Sequence, residues 1–252
     1  MYDALRQVEM HTPIRSLICF PHAGGSNATY NGWGSRLADS VRRIKLACFD
    51  SPAHRARFND VDSLSAKIAE QLCHERQPLA FYGHSMGAIL AYEVACKLSL
   101  VNPHQVAHVF VSGRRAPQLA ARLAPIHTLS DPAFLGELIA YGGVPAAIGN
   151  NNRMLNALLP VIRSDLALVE RYDFEPARRL NCPITAIYAT HDPVVESAEL
   201  MAWRERTTGA FHFHELSGDH FFHSSQPQAL VDIIHHALNA DGTRRAECKS
   251  FA

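Results

Sequence analysis

The sequence predicts an α/β protein with an open, mostly parallel, doubly wound sheet and a helical insertion that forms a lid. Short and almost continuously apolar runs recur along the chain, as expected for strands buried on both faces of a parallel sheet. Longer stretches of helical pattern separate these runs, and the alternation implies right-handed crossovers. From about Ala116 to Arg179 only helical patterns occur, which is typical of a lid over a site.

The predicted elements follow in chain order. Apolar runs predict six strands, namely Ser16–Phe20, Ile44–Phe49, Leu79–Tyr82, His108–Ser112, Ile184–Ala189 and Phe211–Leu216. Helical spacing predicts five helices between and after them, namely Tyr30–Ser40, Ser63–His74, Met86–Leu98, Ser197–Thr207 and Gln226–Asn239. Inside the insertion we expect helices at Asp131–Tyr141 and Asn151–Arg171, joined by a glycine-containing link, Tyr141–Pro145, which could act as a hinge.

Length and charge limit the possible classes of protein. The 252 residues suit one large domain, with a core at residues 1–115 and 180–240, a lid at 116–179 and a polar, frayed tail at 241–252. The 24 basic residues balance the 24 acidic ones, so no overall field attracts nucleic acid or an anionic membrane. No apolar run approaches the roughly 20 residues of a membrane helix.

The cysteines and the N-terminal residues indicate the compartment. Six cysteines lack CxxC pairs and metal-ligand spacing, which favours reduced thiols. The first 15 residues carry several charges and lack the apolar segment of a signal peptide. We therefore expect a cytoplasmic protein. We also expect that it is a monomer and that it needs no metal and no cofactor.

The strongest chemical signal is Gly83-His84-Ser85-Met86-Gly87, which follows a predicted strand and opens a predicted helix. This strand–turn–helix context is the one that a G-x-S-x-G nucleophile elbow requires, with the serine at the crest of the turn. The sequence therefore predicts Ser85 as a nucleophile. The backbone N–H of Met86 is predicted to point towards the developing oxyanion.

A serine nucleophile needs a general base and a carboxylate that orients the base. Asp192 and His220 each follow a late predicted strand, in the chain order that the elbow leads us to expect. His223 remains an alternative base, and Asp219 an alternative orienting group. The histidines at 212, 214, 220 and 223 lack the carboxylate or cysteine partners of familiar zinc sites, so we expect no metal there.

A glycine-rich turn, Pro21-His22-Ala23-Gly24-Gly25-Ser26, follows the first predicted strand. Such a turn lets a backbone N–H approach a substrate carbonyl, and Ala23 is the predicted second oxyanion donor. The alternative is a simple loop that enters a helix, and both descriptions can hold together. A phosphate-binding loop is excluded because no Gly-Lys-Ser/Thr follows.

These motifs resemble those of the type II thioesterases, stand-alone α/β-hydrolases that serve polyketide and non-ribosomal peptide synthetases. The resemblance runs from about Ser16 to Leu238. Besides the elbow and the first turn, it is carried by Ser112–Pro117, Leu159–Asp165, His191–Pro193 and Gly218–Phe222. Two departures are Ala53, where members usually have the glycine of Pro-Gly-Arg, and Ala189-Thr190, where they usually have Gly-Asp.

The resemblance implies a thioesterase that removes stalled or misprimed acyl groups from the phosphopantetheine arm of an acyl or peptidyl carrier protein. It implies Ser85, Asp192 and His220 as the triad, with the N–H groups of Ala23 and Met86 as oxyanion donors. Because carrier surfaces are usually acidic, we expect docking at local positive charge, with candidates Arg55, Arg57, Arg114 and Arg115. Two alternatives remain, an esterase or acyltransferase on small free substrates such as acyl-CoA, and a non-catalytic binding module.

Overall fold

The fold is described from a computed structural model, which covers residues 15–33, 36–37, 41–143, 152–176 and 178–249. Its strands are β1 (Arg15–Phe20), β2 (Val41–Ile44), β3 (Leu79–His84), β4 (Val106–Ser112), β5 (Ile184–Ala189) and β6 (Phe211–Leu216). Within the described ranges they form one sheet in the order β2-β1-β3-β4-β5-β6, and every pairing is parallel. The predicted parallel α/β architecture is confirmed.

Helices cover both faces of this sheet. The α-helices are α1 (Pro52–Arg55), α2 (Val61–Leu72), α3 (Met86–Val101), α4 (Asp131–Ala140), α5 (Asn152–Glu170), α6 (Ser197–Met201), α7 (Phe222–Ser225) and α8 (Pro227–Lys249). One apolar core packs α2 and α3 against the sheet, and a second core packs α8 against the opposite face. Two separate cores on two faces are what a doubly wound sheet requires.

The strand order places a switch point between β1 and β3. From β1 the chain moves outward to β2 and then returns to form β3 on the other side of β1. In open α/β sheets, ligands bind at the carboxyl ends of the strands on either side of such a point. The turn after β1 and the elbow after β3 both lie at that edge.

The second strand was predicted at the wrong residues. The apolar run Ile44–Phe49 is not a strand; β2 ends at Ile44, and Ala47–Phe49 form a 3₁₀ turn. The side chain of Asn27 explains the change, because its amide donates to the carbonyl of Leu46 and its oxygen accepts the Leu46 N–H. Leu46 and Phe49 are fully buried. The apolar residues of this run therefore indicated burial and not a strand.

Other boundaries differ at the helix ends. The predicted helix Ser197–Thr207 divides into α6 and a 3₁₀ helix at Ala202–Arg206, and α8 continues to Lys249 through most of the segment predicted to fray. Part of the predicted helix Tyr30–Ser40 is a 3₁₀ helix at Asn27–Trp33; residues 34–35 and 38–40 lie outside the described residues, as do residues 1–14 and 250–252.

The helical insertion forms a small apolar cluster of its own. Phe134 and Leu138 of α4 are buried with Ile126, and Ile162 and Leu166 of α5 pack against them. The Arg163 guanidinium covers the Phe134 ring and donates to two carbonyls of the loop before α4. The two helices predicted inside the insertion are therefore confirmed. The second half of the hinge link, residues 144–145, lies outside the described part of the chain.

Two further findings concern the cysteines and the helices. The five cysteines whose side chains are described, residues 19, 48, 73, 96 and 182, are free thiols. Among the described residues, no helix combines the length and the apolar character needed to cross a bilayer.

Candidate active site

Ser85 occupies the crest of a tight turn between β3 and α3. Its backbone has φ 54° and ψ −115°, and it is the one non-glycine residue with positive φ among the described residues. Its N–H donates to the carbonyl of Ser112 on the neighbouring strand over 2.9 Å. Strained backbone held by its neighbours is a recurrent feature of functional sites.

The two glycines of the motif are required by close packing. A Cβ at Gly83 would lie 2.1 Å from the Gly87 carbonyl oxygen, and one at Gly87 would lie 2.0 Å from the carbonyl oxygen of Phe20 in β1. Both distances are far inside van der Waals contact. The G-x-S-x-G spacing therefore lets α3 start directly against β1, which fixes the serine above the sheet edge.

The predicted base and its orienting carboxylate are brought together. The Nδ1 atom of His220 lies 2.8 Å and 3.0 Å from the two carboxylate oxygens of Asp192. The backbone N–H groups of Val194 and Val195 also donate to Asp192, over 2.8 Å and 3.3 Å. Because Nδ1 faces a carboxylate, its proton stays there, and Nε2 is left as the proton acceptor.

The loops that carry this pair are tied to each other. The N–H of Thr190 donates to the carbonyl of Leu216, and the N–H of His191 donates to the carbonyl of Gly218. Gly218 has φ +139°, a conformation that other residues rarely adopt. The rival carboxylate Asp219 instead accepts the N–H of Phe221 at an exposed position.

One cavity under the lid joins these groups. Ser85, His220 and Ala23 all line it, so the predicted nucleophile, base and oxyanion loop share a single chamber. Gly113, at φ +60°, lets the rings of His84 and His220 approach closely, because a Cβ there would lie 3.1 Å from the Cε1 atom of His220. The lid supplies an apolar wall, with Ile126, Leu138, Tyr141, Ile162 and Leu166.

The two predicted oxyanion donors lie at the same edge of the sheet. Met86 is the first residue of α3, and the first N–H groups of a helix lack intrahelical acceptors. Ala23 lies in the turn after β1, where the Gly25 N–H donates to the His22 carbonyl over 2.9 Å. Two N–H groups at this edge can hold a developing negative charge.

Three further histidines surround the base, and their role was not predicted. The rings of His84 and His223 are buried with centroids 4.3 Å apart, and His84 lies 4.9 Å from His220. Burial lowers the pKa of His84 and of His223 well below the ordinary value. Burial also lowers the pKa of His22 to about 4. All three are therefore neutral at physiological pH. His223, the alternative base, is buried and is not among the residues that line the cavity, whereas His220 is.

The predicted docking arginines do not share one surface. Arg55 was wrong as a docking residue, because its side chain is 3% exposed and pairs with the buried Asp165. Arg57 is exposed. Arg114 and Arg115 are half-buried in the cavity wall, and burial lowers the pKa of Arg114 to about 10.

The departures from the family pattern are accommodated by the backbone. Ala53 lies within α1, whose helical conformation any residue can adopt, so the missing glycine causes no strain. Within the described residues, no group of three or more His, Cys, Asp or Glu side chains is arranged to hold a metal ion.

Comparison with known proteins decides the family. The thioesterase domain model matches residues 15–238. The chain belongs to the thioesterase family. Among curated relatives of this thioesterase, the thioesterase PikA5 of Streptomyces venezuelae is 34% identical and is matched over 90% of this chain and 82% of its own length.

Solved structures place this thioesterase among similar enzymes of biosynthetic clusters. RedJ, a thioesterase of the prodiginine pathway in Streptomyces coelicolor, is 38% identical with a TM-score of 0.78, covering 89% of this chain and 85% of its own. BorB, a type II thioesterase of the borrelidin cluster, is 31% identical with a TM-score of 0.79, covering 90% and 94%. The predicted family and fold are confirmed.

Proposed function

We propose that this thioesterase hydrolyses acyl thioesters carried on the phosphopantetheine arm of a carrier protein, through a Ser85–His220–Asp192 triad. The observation that supports it most is the shared cavity, which is lined both by a serine on a strained turn and by a histidine paired with a carboxylate. The relatives and solved structures that are named as biosynthetic thioesterases support the choice of substrate.

Acylation follows from the roles of the three side chains. His220 Nε2 accepts the Ser85 hydroxyl proton as Oγ attacks the thioester carbonyl, and Asp192 stabilises the imidazolium that forms. The N–H groups of Ala23 and Met86 hold the oxyanion. The C–S bond then breaks, the pantetheine sulfur leaves with the proton from His220, and Ser85 carries the acyl group.

Deacylation uses the same groups in reverse. His220 takes a proton from a water molecule, the hydroxide attacks the Ser85 ester, and the oxyanion again rests on the two N–H groups. When the C–O bond breaks, His220 returns the proton to Ser85 Oγ and the free acid is released. The lid helices α4 and α5 supply the apolar wall for the acyl chain.

Docking of the carrier is proposed at the exposed basic surface that includes Arg57. This residue borders a shallow groove with His54, His74 and Lys67, and Glu70, which pairs with Lys67, lines the same groove. Arg57 would meet the acidic surface that is usual for carriers, whereas the buried Arg55 has no place there. We also propose that the protein acts as a monomer, since one chain supplies every side chain of the site.

The test is intact-mass measurement of carrier proteins loaded with short and long acyl groups, treated with wild type or Ser85→Ala. Wild type is expected to release the acyl groups, and Ser85→Ala to leave them in place. A higher kcat/KM on acyl-CoA or p-nitrophenyl esters than on acyl-carriers would favour a small-substrate esterase. Failure of Ser85 to react with a fluorophosphonate probe would favour a non-catalytic binding module.

A further inference from the structure

A buried ion pair links the lid to the loop that carries the oxyanion donor. Asp165 lies on α5 and Arg55 at the end of α1, and their side chains are 2% and 3% exposed. The Nε atom of Arg55 donates to Oδ1 of Asp165 over 2.5 Å. Neither group contributes to the triad or lines the acyl cavity, so the chemistry above leaves the pair without a role.

Both partners also bond the loop itself. The Gly24 N–H donates to Oδ2 of Asp165 over 2.7 Å, and an Arg55 nitrogen donates to the Gly25 carbonyl over 2.8 Å. Gly24 has φ +80°, and a Cβ there would lie 2.6 Å from the Ile162 side chain of α5. The lid helix therefore holds the Ala23–Gly24 peptide group, and Arg55 holds the peptide group that begins with the Gly25 carbonyl.

We propose that Asp165 and Arg55 are positioning residues that hold the Pro21–Ser26 loop so that the Ala23 N–H faces the oxyanion. This inference rests on the proposed function, because the loop has a catalytic task only if Ser85 attacks a carbonyl. It also makes the lid part of the catalytic machinery, since α5 supplies the group that fixes the loop.

The pair has a cost that a purely structural role does not explain. Ion pairs removed from water gain little net stability, and apolar replacements of similar volume are often neutral or stabilising. Burial raises the pKa of the Asp165 carboxyl, while Arg55 and the Gly24 N–H act against that rise. The Asp165 carboxylate accepts a hydrogen bond from the Gly24 N–H next to the active site. A role in fixing that peptide group accounts for the burial of the charge.

The test compares two double variants that differ in one acceptor. Asp165→Leu/Arg55→Met removes both charges and the bond to Gly24, whereas Asp165→Asn/Arg55→Met removes the charges but keeps an amide oxygen for the Gly24 N–H. Kinetics are measured on a small acyl thioester, together with inhibition by a trifluoromethyl ketone, whose adduct with Ser85 carries the oxyanion. Circular dichroism checks folding.

For Asp165→Leu/Arg55→Met we expect kcat to fall about tenfold to a hundredfold, with KM changed less than about threefold. The inhibition constant of the ketone should rise by the same factor as kcat falls. Asp165→Asn/Arg55→Met should recover part of both, because the acceptor for the Gly24 N–H returns while the Arg55 bond to the Gly25 carbonyl stays lost. A folded Asp165→Leu/Arg55→Met variant with wild-type kcat and ketone affinity would overturn the inference. So would a loss of kcat without loss of ketone affinity.

Glu93→Gln is the matched control. Glu93 is another buried carboxylate, which joins α3 to Tyr172 and Arg178 in the segment after α5. This variant should melt at a lower temperature and keep its kcat and ketone affinity. If the double variants do not fold, Asp165→Asn alone serves, because Gly24 and Arg55 donate to different oxygens of Asp165 and the amide replaces one of these oxygens with an NH₂ group.

The two proposals fail in different ways. If the wild-type enzyme cleaves the small thioester but not acyl-carriers, the carrier proposal is contradicted. The positioning role of Asp165 and Arg55 can still be tested on the small thioester. Equal kcat values for both double variants and wild type, with acyl-carriers cleaved normally, contradict the positioning role alone.

Discussion

His220 and Asp192 form a pair that is closed to solvent, with side chains 5% and 0% exposed and Nδ1 within 3.0 Å of both carboxylate oxygens. Two backbone N–H groups, from Val194 and Val195, complete the shell of the carboxylate. The imidazole is therefore held in one orientation and one tautomer before any substrate arrives.

The first prediction concerns that tautomer. In Asp192→Asn the amide oxygen can keep the backbone bonds, which turns the NH₂ group towards Nδ1 and forces the ring proton onto Nε2. Nε2 then cannot accept the serine proton, so kcat should fall by about 10³–10⁴ with little change in KM. Steady-state kinetics on a small thioester would measure this.

Asp219→Asn is the control for the first prediction. Asp219 is the neighbouring carboxylate of the same loop, but it is exposed and bonds only the local Phe221 N–H among the described contacts. Its loss should change kcat by less than about threefold. Equal losses in the two variants would contradict the assignment of Asp192.

The second prediction concerns the packing of the elbow. Gly87→Ala would place a Cβ 2.0 Å from the Phe20 carbonyl oxygen, so α3 and β1 must separate. We expect a loss of about 1–3 kcal/mol or more in the free energy of unfolding. Gly136→Ala is the opposite case, because that exposed glycine lies within α4 with no neighbouring atom inside 4 Å of the new Cβ.

Gly136→Ala should raise the free energy of unfolding by about 0.5–1 kcal/mol through the lower entropy of the unfolded chain. Urea denaturation of both variants gives the comparison. If Gly87→Ala were as stable as the wild type, the close contact between α3 and β1 could not be as the structure has it.

The third prediction concerns the acyl pocket. Leu166 lines the cavity, and Leu159 of the same helix packs on the same lid cluster but faces an outer cleft. Leu166→Ala enlarges the pocket and should shift the ratio of kcat/KM towards longer acyl chains by roughly tenfold. Leu159→Ala should lower stability without that shift. A panel of acyl thioesters of increasing length measures the ratios, and identical profiles for the two variants would contradict the pocket assignment.

The sequence predicts a feature when neighbouring residues determine it, and fails when residues far apart in the chain determine it. The elbow, β5, β6 and the Asp192–His220 pair were predictable, because glycines, apolar runs and chain order encode them directly. The predicted strand Ile44–Phe49 was wrong because the backbone N–H and carbonyl of Leu46 bond the side chain of Asn27, 19 residues away. The pair formed by Arg55 and Asp165 joins residues 110 positions apart, and no local pattern indicates that an arginine will be buried.

The last prediction concerns the neutral histidines around the base. His22, His84 and His223 have lowered pKa values in the folded protein because of burial, whereas in the unfolded chain they titrate near the ordinary 6.5. Between about pH 6.5 and pH 4 the unfolded chain therefore binds more protons. Stability is fully present above pH 6.5 and falls with acidification, by about 1.4 kcal/mol per pH unit for each histidine.

His223→Gln isolates one of these contributions. His223 is packed between His84, His22 and Tyr30 and has no hydrogen-bond partner within the described part of the chain, so the variant removes a proton site without breaking a bond. Urea denaturation at pH 7.0, 6.0 and 5.0 gives the free energy of unfolding. In His223→Gln this free energy should fall less steeply with acidification than in wild type, by about 1.4 kcal/mol per pH unit, which is the contribution of one proton. The exposed His104, replaced by glutamine, should leave the slope unchanged. An unaltered slope in His223→Gln would show that His223 is protonated in the folded protein, which its buried position beside two other imidazoles makes costly.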